Sequence, residues 1–187
     1  VFFAYGDISF DRLVRLLEKA TSDLPAGVPT LPDADACPTL GTIDNAGRHV
    51  EHRGTHQAHV MMGCRAYDIH SERRLPLYLL NNLLGGPGMN ARLNVALRER
   101  NGLVYTVESS MVNYSDTGAW CVYFGCDHPN VSRCEKLVWS ELTRLAAHGL
   151  TDAQLSAAKR QLKGQIGIAC DAREAFALSF AKSFLHY

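Results

Sequence analysis

Arg98 and Tyr105 stand seven residues apart, on either side of Asn101-Gly102. A guanidinium keeps its charge at every working pH and offers a fork of donors, and a neutral phenol donates one hydrogen. Such a pair suits a peptide carbonyl, or the oxyanion formed when that carbonyl is attacked. Asn101-Gly102 supplies the geometry. Glycine takes the left-handed conformation that closes a helix, so the chain reverses there and both side chains can converge on one patch. On spacing alone a plainer reading comes first: Arg98 paired with a surface carboxylate and Tyr105 packed in a sheet.

Histidines are the other candidates. His49, His52, His56 and His59 fall within eleven residues, with Glu51 among them. His49-Val50-Glu51-His52 is one residue short of H-x-x-E-H, which sets two zinc-binding histidines four apart on a helix. Arg48 occupies the completing position, and a cation does not ligate zinc. The stretch has no helical pattern and leads into a strand, on which His52 and His56 share a face and His59 takes the other. It reads as a polar, exposed strand edge, and no metal ligand is assigned in this chain. Gly85-Gly86-Pro87-Gly88 follows no strand and precedes no Lys-Ser/Thr pair, so it reads as a bend between helices. No G-x-S-x-G occurs to anchor a serine hydrolase. The six cysteines show no zinc-like spacing and read mainly as small core residues, Cys121 and Cys126 facing opposite sides of a strand.

The elements that must position these groups follow from periodicity. Val1–Tyr5 reads as a strand, and Ser9 as the cap of a helix lined by Phe10, Leu13, Val14 and Leu17. Residues 24–47 hold four prolines and form a connector. Alternation of Ala58, Val60, Met62 and Cys64 predicts a strand over 57–64. Helices are expected at Leu75–Leu84 and Met89–Arg100, then a hairpin of Leu103–Tyr114 and Ala119–Cys126 turning at Ser115-Asp116-Thr117-Gly118. Asp127-His128-Pro129 opens the next helix, with Pro129 at its first position and Val131, Cys134, Val138, Leu142 and Leu145 inward. Thr151 caps the next, which buries Leu155, Ala158, Leu162 and Ile166. The class is α+β: an antiparallel-rich sheet with helices packed on one face.

At 187 residues, 47% hydrophobic and 20% charged, the chain suits one globular domain. Nineteen basic side chains balance nineteen acidic ones, which argues against a nucleic-acid partner. No apolar run approaches the ~18 residues of a membrane span. Both ends are apolar and abrupt, so residues 1–187 are expected to be a single domain cut from a longer polypeptide.

One string decides between these readings. Leu83-Leu84-Gly85-Gly86-Pro87-Gly88-Met89-Asn90-Ala91-Arg92-Leu93, followed by Leu97-Arg98-Glu99-Arg100-Asn101-Gly102-Leu103-Val104-Tyr105, resembles the second half of the insulinase (pitrilysin) family of zinc peptidases, processing peptidases included. Gly6-Asp7, the Pro-rich connector, Gln57 and Leu162-Lys163-Gly164-Gln165 extend the likeness over nearly the whole chain. Pro87 departs from the family's usual run of glycines. The resemblance implies a processing-peptidase-like metallohydrolase fold with zinc in the complementary half and none here. It also implies that Arg98 holds the substrate backbone and that Tyr105 donates in trans to the scissile carbonyl or its oxyanion. Its expected partners are a zinc-bearing N-terminal half or subunit and a peptide substrate, with a homodimer as a further option. The isolated chain is expected to be inactive. The alternative within the same family is a non-catalytic scaffold or peptide-binding subunit.

Overall fold

The computed structural model describes residues 2–25, 27 and 47–186. The connector expected over 24–47 falls almost wholly outside them. Two compact units are present, one of Ala4–Arg53 and one of Val1–Phe3 with Gly54–Tyr187. The smaller holds helix α1 (Phe10–Ala20), which starts after Ser9 without a side-chain capping bond. Leu13, Val14 and Leu17 are half-buried, whereas Phe10 is exposed.

The larger unit is built on alternation. Strands β1 (Gln57–Ala66), β2 (Val104–Asn113) and β3 (Gly118–Asp127) form one antiparallel sheet in the order β1-β3-β2. Ala58, Val60 and Met62 stand opposite Cys126, Phe124 and Val122, and Val107 stands opposite Phe124 from the other side. A two-residue side-chain period sends this set to one face. Helices α2 (Arg74–Gly85) and α3 (Val131–His148) and a turn of π-helix at Asn94–Glu99 cover that face with Leu84, Leu93, Ala96, Leu97, Cys134 and Val138. Leu93, Leu97, Val122, Phe124 and Val138 are fully buried, each worth about 1.5–3 kcal/mol of transfer free energy. The opposite face carries His59 and Met61 from β1, Cys121, Tyr123 and Gly125 from β3, and Thr106, Glu108 and Ser110 from β2.

Helix α4 (Asp152–Asp171) opens with a full capping box, Thr151 accepting from the Gln154 backbone and Gln154 reciprocating. Helix α5 (Arg173–His186) continues the apolar pattern near the end of the chain. Gln161 of α4 accepts from Asn90, which ties the turn after α2 to this helix.

The α+β class and the one-sided helical cover are as expected, and three local readings are corrected. Residues 2–5 form no strand, and Phe2 and Tyr5 are exposed, because no ladder pairs with them. The helix expected over Met89–Arg100 shortens to 92–99 and widens into a π turn, where six consecutive residues hold buried Asn94, Ala96 and Leu97 against the sheet. Ile166 is half exposed, because the second half of α4 runs past the core.

Candidate functional site

The two residues singled out by chemistry both sit on irregular backbone. Buried Ala96 and Leu97 anchor the π turn, and the next residue, Arg98, is exposed. The wide turn is closed by the Arg100 amide donating to the Val95 carbonyl at 3.0 Å. The Asn101 side chain donates to the Ala96 carbonyl at 2.7 Å. Gly102 then reverses the chain at φ +59°, a left-handed conformation that glycine adopts without steric cost. π turns recur at functional positions because they displace one residue from the helical register.

Tyr105 is the extra residue of a β-bulge. Val104 pairs with Cys126 and Thr106 with Gly125, which leaves Tyr105 unpaired between them. A bulge re-aims the side chain it carries. Here it sends the phenol, 58% exposed, to the last residue of β3, where it donates to Asp127 Oδ1 at 2.8 Å. That hydrogen bond, and then the carboxylate's charge, favour the neutral phenol and hold it above the usual tyrosine value.

A cavity of about 390 Å³ opens between the end of α2, the Gly85–Gly88 bend, the π turn and β2. Arg98, Asn82, Met89, Thr106 and Glu108 are among its walls. Its back is set by a close approach. A Cβ on Gly85 would lie 2.4 Å from the Ser109 backbone nitrogen, so glycine alone lets α2 close on β2. Ser109 donates to the Asn81 carbonyl across the same contact at 2.9 Å. Arg98 enters this cavity and Tyr105 does not line it. Among the described residues no hydrogen bond or ion pair joins the two, and Arg98 forms no ion pair with a carboxylate.

The histidines separate. His52 and His56 are exposed and precede β1, so neither takes a strand face as expected. His59 lies on the exposed sheet face with Nδ1 2.8 Å from the Tyr123 hydroxyl. His128 Nε2 is 2.8 Å from the Thr55 carbonyl oxygen. Among the described residues no three His, Cys, Asp or Glu side chains converge as a metal-holding group. Cys126 and Cys134 are fully buried beside one another, and burial pushes Cys134 up to about 12 and Cys126 upward. Cys37 lies outside the described residues.

Residues 1–162 match the family described as the peptidase M16 inactive domain. The chain belongs to the peptidase M16 family. It is 36% identical over 167 residues to an uncharacterized zinc protease of Streptomyces coelicolor, covering 86% of this chain and 35% of that protein. It is 30% identical over 187 residues to an uncharacterized zinc protease of Mycobacterium tuberculosis, covering 98% and 42%. A protease from Helicobacter pylori has the same fold, with a TM-score of 0.77 at 18% identity over 97% of this chain and 44% of that one. The M16 inactive domain from Pseudomonas fluorescens aligns at 27% identity with a TM-score of 0.56, over 59% of this chain and 27% of that chain. The M16 chain described here thus spans well under half the length of these curated relatives.

The bulge under Tyr105 and its Asp127 acceptor were not foreseen, and neither was the His59–Tyr123 pair of this M16 domain. Each depends on register between strands tens of residues apart. Asp127 carried a signal only as the residue before His128-Pro129, where it read as the opening of a helix.

Proposed function

We propose that this chain is the substrate-binding half of a zinc-dependent peptidase, acting with a zinc-bearing half in the same longer polypeptide or in a partner chain. The zinc, and with it activation of the attacking water, belongs in this reading to that other half. In this reading Arg98 holds the backbone of a bound peptide. Tyr105 turns from Asp127 and donates to the scissile carbonyl oxygen as charge develops on it. A phenol fits the role, because with an ordinary value near 10 it stays protonated and available as a donor at neutral pH.

The observation that carries the reading is the placement of Arg98 and Tyr105 within an M16 inactive domain. Both are exposed, each stands on displaced backbone, and neither is consumed in a packed core. The test is Tyr105→Phe in the full-length protease that carries this chain. The turnover number should fall about 10²-fold with KM little changed, as for loss of one oxyanion donor. Unchanged turnover removes Tyr105 from catalysis.

The Tyr105–Asp127 bond favours a second reading, a non-catalytic peptide-binding subunit, since in it the phenolic hydrogen is already engaged. A full-length protein that binds peptides but cleaves none, even with zinc supplied, would select it.

A further inference from the structure

A second polar pair, His59 and Tyr123, lies on the exposed sheet face across β1 and β3. His59 of β1 stands opposite Gly125, and Tyr123 of β3 stands opposite Met61. The two are diagonal neighbours, with rings near parallel at 13° and centroids 6.1 Å apart. With no side chain at Gly125, His59 reaches across the strand and brings Nδ1 within 2.8 Å of the Tyr123 hydroxyl. Thr106 closes the other side of Gly125, where a Cβ would meet its methyl at 3.7 Å.

We propose that His59 and Tyr123 form a second contact for the peptide, in which His59 Nε2 donates to a substrate backbone carbonyl. In this contact the Tyr123 hydroxyl is taken as the donor to Nδ1, which leaves the ring hydrogen on Nε2. Two observations lead there. His59 is exposed, and Nε2 has no hydrogen-bond partner among the described residues, so this oriented donor is unused. The spacing also fits. Asp127, which holds Tyr105, lies two residues beyond Gly125 on β3, about 7 Å along a strand. The same distance separates carbonyls on one side of an extended peptide. A peptide lying along β3 with one carbonyl at the end of the strand, where Tyr105 is released from Asp127, presents to His59 the carbonyl two residues away.

The inference rests on the peptidase reading, and the test keeps the two apart. Full-length protease, zinc half included, is assayed on an internally quenched decapeptide. His59→Ala should raise KM about tenfold with turnover unchanged, the cost of one uniform binding contact. His59→Gln, whose amide still donates, should recover most of that loss, and Tyr123→Phe should raise KM severalfold by releasing the ring. Tyr105→Phe should instead lower turnover. Unchanged KM in His59→Ala, beside lowered turnover in Tyr105→Phe, overturns this inference and leaves the peptidase reading standing. Absence of rescue by glutamine, or a lowered melting temperature accompanying the KM change, marks a structural role and overturns it as well. If Tyr105→Phe keeps full turnover, the role given to Tyr105 fails, and with it the register argued for His59.

Discussion

Tyr105 donates its phenolic hydrogen to Asp127 Oδ1 at 2.8 Å, across the end of β3, from a bulge that lifts it out of the ladder. The bond joins the residue expected to meet substrate to one whose sequence context suggested only a helix start. Asp127→Asn should therefore bring Tyr105 back toward the ordinary phenol value of 10, because the carboxylate acceptor and its charge both raise it. Alkaline absorbance titration of Asp127→Asn, against the same variant carrying Tyr105→Phe, isolates this one phenol among seven tyrosines. A phenol raised on folding lends stability that is fully present below pH 10 and is lost as pH climbs through its folded value. Identical titration in parent and variant would remove the bond from solution.

Cys126 and Cys134 should resist alkylation at neutral pH, while exposed Cys64 and Cys170 react. Peptide mass mapping after brief labelling of native and unfolded chain measures this. The sign of the pH effect follows from burial. A thiol ordinarily near 9 and raised to about 12 in Cys134 contributes stability in full below pH 9, and loses it as pH rises toward 12. The urea midpoint should fall over that window in the parent and less in Cys134→Ala. Rapid native labelling of Cys134 would contradict the placement.

Gly85→Ala should destabilise the fold by about 1–3 kcal/mol, the usual cost of forcing extra volume into a closed contact. The new methyl would meet the backbone nitrogen of Ser109, which has no rotamer by which to move aside. Denaturant unfolding measures the loss. A midpoint equal to the parent's would show that α2 does not close on β2 so tightly.

The chain on its own should take up no stoichiometric zinc at neutral pH. The described histidines and carboxylates do not converge: His59 is engaged by Tyr123, and His128 meets the Thr55 carbonyl. Metal analysis after dialysis against micromolar zinc checks this. One tight equivalent would place a metal centre in this half.

Elements whose signal is local were legible. The β2–β3 hairpin, the strand carrying Ala58, Val60 and Met62, the Thr151 cap and the glycine reversal at Gly102 all came from residues within a few positions of one another. Arg98 and Tyr105 were singled out by the string around them, while their spacing alone gave a plainer reading. Less legible were places where distant segments set the outcome. Residues 2–5 look like a strand but have no ladder, and the segment before Gly102 looks like an α-helix but widens to a π turn.

By itself, then, the sequence determined which faces are apolar, where the chain turns, and which family its central string belongs to, since side-chain period and turn chemistry are short-range. Only the tertiary structure decided that Tyr105 meets Asp127, that Arg98 enters a cavity apart from that phenol, and that His59 lies over Gly125 against Tyr123. The reason is register. A one-residue bulge in β2 frees Tyr105 to meet Asp127, 22 positions on, and the separate β1–β3 register sets His59 diagonal to Tyr123, 64 positions away.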